Sequence, residues 1–415
     1  MKDVVITSAV RTPVGRYMGA LKTVQAFELA ALVLNTVVEK SALTPNQVDE
    51  VIMGQSYQNG ESVNIARMGL LAAGWPESIP GVTLDQRCCT GLAVMRMAAG
   101  LIQSGQAEIV VAGGAESMSN AEFYLPGHIK WGIGGDGKMP RGHGDLSLWG
   151  LSFYDRIQRA RVMSQPISRY GVLPSMMSWA ETGAQEEGIS REACDAWAVA
   201  SHQKACAAQD AGRFDAEIVP VPVPQRKGDP VFVSRDENPR PDTSLAQMAT
   251  LKPVLGGVCT AGNSSTENDG AAAVVLMSGD TAKKLGCKPL ARLVSCAVAG
   301  DDPTRTYRTV PVAVEKALSM AGLSLAQMDL IEIQEAFAAQ VLADLKQMGV
   351  GPDAYHNVNV NGSGISLGHP IACTGARVLA SLVHEMNRRK ARYGLECICG
   401  GGGLGIAAVI EHLPA

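Results

Sequence analysis

Apolar residues are spaced along this chain with two periods that take turns. Short runs rich in Val and Ile, at 4–8, 48–53 and 109–112, have the composition of buried strands. Between them, 26–39 and 90–104 place apolar residues three and four apart, as a helix with one buried face does. The alternation returns towards the C-terminus, with strands predicted at 291–297, 328–333 and 395–399 and helices at 312–321 and 375–387. Such alternation predicts an α/β fold in which sheets and helices stack in layers.

The two stretches also echo each other. Leu43-Thr44-Pro45-Asn46-Gln47-Val48-Asp49 is matched by Leu323-Ser324-Leu325-Ala326-Gln327-Met328-Asp329, 280 positions later (323 − 43). Cys89-Thr90-Gly91 is matched by Cys373-Thr374-Gly375 at 284, and Gly113-Gly114 by Gly401-Gly402 at 288. Collinear matches with a slowly drifting offset predict a duplicated unit. Between the copies, 119–254 differs in character, with Gly- and Pro-rich loops at 132–144 and 220–230 and a helix expected over 191–211. The expected organisation is a first core half (1–118 plus 255–285), an inserted loop domain (119–254) and a second core half (286–415).

Composition narrows the class. A chain of 415 residues with 46% hydrophobic and 18% charged residues is globular and large enough for several domain-sized units. A net charge of -4 gives no general attraction to nucleic acid or anionic membrane. No uncharged apolar run approaches the ~20 residues that span a bilayer, and the N-terminus shows no signal pattern. Ten cysteines in so long a chain, several within apolar segments, fit a reduced, cytoplasmic setting.

Three segments carry candidate chemistry. Cys88, in Asp85-Gln86-Arg87-Cys88-Cys89-Thr90-Gly91, falls between an extended run and a helix start. Amides and the helix dipole there favour a thiolate and can hold an oxyanion; a buried structural cysteine is the bland alternative. His369 lies in a Gly-punctuated loop, Gly364-Ile365-Ser366-Leu367-Gly368-His369-Pro370, and suits a base or a hydrogen-bond donor. In the repeat frame it falls in the region that holds Cys88 in the first copy. Cys399 precedes four glycines, Gly400 to Gly403, whose bare backbone lets a ligand approach. A nucleotide loop lacks its spacing here, and a metal site lacks a histidine at ligand spacing. Gln334-Glu335-Ala336-Phe337 follows a predicted strand, at the sheet edge where α/β sites cluster, but by itself reads as an ordinary strand-to-helix turn.

Taken in order, these segments resemble the thiolase family over essentially the whole chain. Ile6-Thr7-Ser8-Ala9-Val10-Arg11-Thr12-Pro13, Gly113-Gly114-Ala115-Glu116-Ser117-Met118, Thr260-Ala261-Gly262-Asn263-Ser264-Ser265, Gly368-His369-Pro370 and the glycine run after Cys399 carry the likeness. The resemblance implies a duplicated βαβαβαββ core in αβαβα layers with an inserted loop domain. It implies Cys88 as the acylated nucleophile and His369 as its base. His369 would also hold one thioester oxygen with a water placed by Gln334. Cys399 becomes the second acid/base, and the amides of Cys88 and Gly401 a second oxyanion hole. Coenzyme A thioesters are then substrates and no cofactor is permanently bound. Arg226 in Arg226-Lys227-Gly228-Asp229 is expected at the nucleotide end, with Ser265, Ala261, Phe337 and Met176 along the pantetheine and acyl path. A homodimer or homotetramer, with an accessory subunit in some members, also follows from the family.

The chain departs from the family pattern at Asp85, at Cys89-Thr90, at Gln334 and at Ser175-Met176-Met177-Ser178-Trp179. These changes predict a degradative enzyme for a 3-oxoacyl-CoA larger or more polar than acetoacetyl-CoA, aromatic or dicarboxylic. A biosynthetic acetoacetyl-CoA thiolase, a decarboxylating ketosynthase and a catalytically silent acyl-CoA-binding subunit are the alternatives.

Overall fold

The computed structural model describes residues 2–125 and 152–414; the 132–144 loop lies outside the described residues. Nine strands follow one another across the main sheet in the order Leu330–Ile333, Tyr393–Gly400, Leu404–His412, Ala291–Gly300, Val4–Arg11, Asn268–Ser278, Ile109–Ser117, Glu50–Gly54, Gly81–Leu84. The short strand Gly15–Arg16 pairs beside Asn268 and Asp269 as the tenth. Within the sheet, among the described residues, the two halves pair where Val5 and Ile6 meet Arg292 and Ala291, so one sheet path is made of two half-sheets.

Alternation along each strand sorts its residues into layers, because successive side chains point to opposite faces. Val110, Ala112, Val274 and Leu276 in the first half, with Ile398, Ile406 and Ala408 in the second, pack on helices Thr90–Ser104 and Thr374–Arg389. Ile109, Val111, Val275 and Met277 face the other way, onto helices Ala26–Lys40 and Ile65–Ala72. Leu395, Cys397, Cys399, Ala407 and Val409 do the same against Thr309–Ala321 and Ala338–Gln347. The result is helices, half-sheet, central helices, half-sheet, helices. The two central helices approach closely where they carry glycine: a Cβ on Gly91 would lie 2.6 Å from the Ala376 nitrogen.

Hydrogen bonding displays the duplication. Pro45–Gln47 and Leu325–Gln327 are matching 3-10 turns, closed by the Thr44/Gln47 and Ser324/Gln327 capping boxes. Asp49 Oδ2 accepts from the amides of Glu108 and Ile109, and Asp329 Oδ2 from those of Arg392 and Tyr393. Bulges fall at Ile6/Ser8 and Leu293/Ser295. The echo of Gly113-Gly114 in Gly401-Gly402 is not a structural equivalence, however. The first pair lies inside a strand, where Gly114 leaves room for the Ala372 carbonyl, and the second lies in the turn after one.

The connection between Ile109–Ser117 and Asn268–Ser278 holds helices Arg156–Val162, Met177–Glu187 and Arg191–Asp210 and the hairpin Val221–Val223/Val231–Val233. Trp179, Ala180, Trp197 and Ala198 from this segment join the outer core of the second half. No helix among the described residues is long and apolar enough to cross a membrane.

Candidate active site

Cys88 occupies the turn between strand Gly81–Leu84 and helix Thr90–Ser104. The chain reverses there with Arg87 in the left-handed region, at φ 55°. Side chains that depart from the family pattern brace this turn. Asp85 Oδ1 accepts from the Arg87 amide and from Ser56 Oγ, both at 2.9 Å. Thr90 Oγ1 accepts from the Gln86 amide at 2.6 Å. An oxygen is what the turn needs at position 85, and aspartate supplies it as asparagine would.

His369 stands just before the second central helix. Gly368, at φ +99°, turns the chain so tightly that a Cβ would lie 2.6 Å from Asn268 Cγ. Asn268 Oδ1 accepts the His369 amide at 2.9 Å, which fixes the loop to the first half-sheet. The ring is 2.7 Å from Thr374 Oγ1 through Nδ1, and the Thr374 hydroxyl also lies 3.0 Å from the Pro370 carbonyl. With that hydroxyl donating to Pro370, Nδ1–H donates to Thr374, and Nε2 keeps a bare lone pair. Nε2 is buried with no partner among the described residues. Cys399 comes from the end of strand Tyr393–Gly400, and Gly401 from the turn beyond, where Gly402 and Gly403 both take positive φ.

A cavity of ≈ 500 Å³ is lined by Cys88, His369, Cys399 and Gly401 together. The Gly401 amide reaches the Cys88 sulfur and favours its anion. Of the residues expected along the substrate path, Ala261, Ser265, Phe337 and Met176 line the same cavity. Two expected residues do not. Gln334 is wholly buried behind the wall, its Oε1 accepting from Arg377 at 3.3 Å and its Nε2 without a partner, because Gly364 packs directly against the amide. Arg226 projects from the exposed hairpin turn between Val223 and Val231, away from the lining. Arginines at 16, 87, 161 and 240 line the cavity instead.

Burial governs the titration here. It pushes the Cys88 thiol up to about 11, outweighing the Gly401 amide and the Arg87 charge, which both favour thiolate. Burial thus opposes the thiolate that the helix start, the Gly401 amide and Arg87 favour. Burial also lowers His369 to about 3, with help from Arg377 and Arg161, so the imidazole is neutral. Cys399 is held well above the usual thiol range, by burial first and then by Asp344 and Cys88. The resting site thus holds two neutral thiols and a neutral imidazole. This set can exchange protons and accept an acyl group without stabilising a permanent charge.

Sequence reasoning missed several residues of the site. Thr374, the partner of the imidazole, belonged to the Cys-Thr-Gly echo and could have been suspected. Glu116, whose carboxylate accepts the amides of Ser56, Tyr57 and Ala372, lay in a quoted motif without a role. Tyr57, Arg87 and Arg161 carried no local signal.

Residues 4–280 match the thiolase N-terminal domain model, and residues 287–412 the thiolase C-terminal domain model. The chain is 45% identical over 414 residues to an acetyl-CoA acetyltransferase of Cupriavidus necator, covering 99% of this chain and 100% of that one. It is 43% identical over 418 residues to a beta-ketoadipyl-CoA thiolase of Pseudomonas putida, covering 100% of both. Among solved structures, the Bacillus anthracis acetyl-CoA acetyltransferase superposes with a TM-score of 0.90 at 41% identity, covering 100% of this chain and 99% of the other. Human mitochondrial 3-ketoacyl-CoA thiolase gives 0.89 at 35%, covering 99% of each. With both halves of the duplicated core matched and two thiols and an imidazole facing one cavity, the chain belongs to the thiolase family of acyltransferases, which act on coenzyme A thioesters.

Proposed function

We propose that the chain cleaves a 3-oxoacyl-CoA by thiolysis, with an acyl group more polar than that of acetoacetyl-CoA, and that Cys88 carries the acyl intermediate. The observation that supports this most is the shared cavity, with the Gly401 amide on the Cys88 sulfur. His369 Nε2 takes the Cys88 proton as the sulfur attacks the 3-oxo carbonyl. The C2–C3 bond then breaks, Cys399 protonates C2 of the departing enolate, and acetyl-CoA leaves. A second coenzyme A thiol, deprotonated by the Cys399 thiolate, then accepts the acyl group, and His369 returns its proton to the departing Cys88 sulfur. The amides of Cys88 and Gly401 stabilise the oxyanion, a contribution of about 2.7–4 kcal/mol per donor in comparable sites. Gln334 acts from behind the wall, by holding Arg377 and the His369 loop.

Met176 and Trp179 of the inserted segment, with Ala261, Ser265 and Phe337, form the wall along which pantetheine lies. The exposed arginines at 16 and 240, rather than Arg226, meet its anionic end. Alkylation by iodoacetamide, mapped by peptide analysis with and without acyl-CoA, tests the reading. Acyl-CoA protection should be confined to Cys88 and Cys399. Unprotected labelling at Cys88 would instead mark a binding subunit without catalysis. A turnover series over 3-oxoacyl-CoA chains tests the acyl group, and strong preference for acetoacetyl-CoA would overturn it.

A further inference from the structure

The cavity has two walls of different chemistry. Met176, Met177, Trp179 and Phe337 belong to the outer core of the second half. Tyr57 and Met118, with Ala160 and Ile371 against them, form a separate small cluster. On this second wall three polar groups converge from three segments: the Tyr57 hydroxyl and the guanidinium groups of Arg87 and Arg161. Both arginines and Cys88 act electrostatically on the Tyr57 phenol, so the four groups are neighbours at the reacting end of the cavity.

Their hydrogen-bonding capacity is only partly used. Arg161 reaches Glu267 at 2.6 Å through Nη2 and Gln158 at 3.3 Å through Nη1, which leaves the Nε hydrogen and one on each terminal nitrogen. Arg87 makes no ion pair among the described residues, and the Tyr57 hydroxyl has no partner among them. The nearby carboxylates are committed elsewhere: Asp85 to Ser56 and the Arg87 amide, Glu116 to three backbone amides, Glu267 to Arg161. Tyr57 itself is only 5% exposed. Arg161 keeps 32% of its side chain exposed and Arg87 is half-buried, so their open donors are reached from the cavity, and a ligand that displaces water there must supply an acceptor.

We infer that the acyl group passing Cys88 ends in a carboxylate, received by Arg161 and Tyr57 with Arg87 beside them. The substrate class is then a 3-oxo dicarboxylic acyl-CoA, a conclusion that rests on the thiolase reading above. A guanidinium and a phenol are a fitting pair for a carboxylate, since the charged bonds are the strong ones. A site built around them discriminates against a methyl-ended chain because its donors go unmet.

Thiolysis of 3-oxoadipyl-CoA is compared with that of 3-oxohexanoyl-CoA, which has the same carbon count and a methyl in place of the carboxylate. The parent enzyme should favour the dicarboxylic substrate in kcat/KM by at least about tenfold. In Arg161→Gln that ratio should collapse towards unity or invert, because Glu267 is left facing the substrate. Arg161→Lys should recover part of it, and Tyr57→Phe should lower it several-fold. A parent ratio near one overturns the inference. So does a fall of equal size for both substrates in Arg161→Gln, which would assign the arginine to a coenzyme A phosphate. Absence of turnover with either substrate would instead defeat the thiolase reading itself.

Discussion

Replacing His369 by alanine separates the two ways in which Cys88 can become a thiolate. In the resting site burial holds the thiol at about 11. At pH 8 the spontaneous thiolate is therefore about one part in a thousand, against about one in ten for a thiol at the ordinary value of 9.0. Acylation by a route that waits for this fraction rises about tenfold per pH unit up to roughly pH 10. The parent enzyme escapes that dependence if Nε2 takes the proton during attack. His369 sits at about 3 because it is buried near Arg377 and Arg161, so its base form is complete throughout the neutral range. Base assistance contributes typically about 10²–10⁴-fold when the base's pKa lies near the working pH, and a weak base such as this one belongs toward the lower end. Single-turnover acylation, read as free coenzyme A released from acetyl-CoA, should be nearly flat from about pH 5 to 9 in the parent. In His369→Ala it should be about 10²–10⁴-fold slower at pH 8 and close the gap as pH rises. A variant within threefold of the parent at pH 8, or one whose rate ignores pH, would refute the reasoning.

Three further outcomes follow from particular contacts. Gly91→Ala puts a methyl 2.6 Å from the Ala376 nitrogen and 2.9 Å from the Ala372 carbonyl, both backbone. Prying the central helices apart should cost at least about 2 kcal/mol in urea denaturation, and an unchanged midpoint would show that they have slack. Burial raises Glu116 to about 7 from an ordinary 4.5, so its contribution to stability is whole below pH 4.5 and disappears as pH climbs through 7. That window is worth about 3 kcal/mol, and Glu116→Gln should flatten the fall in denaturation midpoint between pH 5 and 7.5; an undiminished slope would assign it to other buried acids. Cys399→Ser should retain Cys88 acylation yet lose α-proton exchange of acetyl-CoA with deuterated water by at least about 10²-fold. Exchange at the parent rate would remove Cys399 from the acid/base role.

The sequence by itself determined the elements and much of their order. The helix expected at 90–104 is Thr90–Ser104, and 191–211 is Arg191–Asp210, because amphipathic periodicity is local and long. Strands were found with shifted bounds: 109–112 extends through Gly113 and Gly114 to Ile109–Ser117, while 328–333 shortens to Leu330–Ile333. Gly113 and Gly114 permit a close approach by Ala272 and Ala372 from distant parts of the chain. The duplication was visible wherever a turn imposed its own residues, as at Thr44 and Ser324, and misleading where glycines merely recurred. Cys88, His369 and Cys399 were legible through family motifs.

What surrounds them was decided only by tertiary structure. Whether Cys88 is a thiolate depends on how deeply the fold buries it, and burial overrode the helix start. Gln334 is wholly buried against Gly364 and outside the cavity lining, which only the packing of distant segments decides. Arg226 lies on an exposed hairpin outside the cavity lining, while Arg161, on an unremarkable helix, reached the cavity. Local sequence fixes backbone preference within a few residues. Desolvation, charge neighbours and reach are set by segments a hundred or more positions away, and become defined only when the layers close.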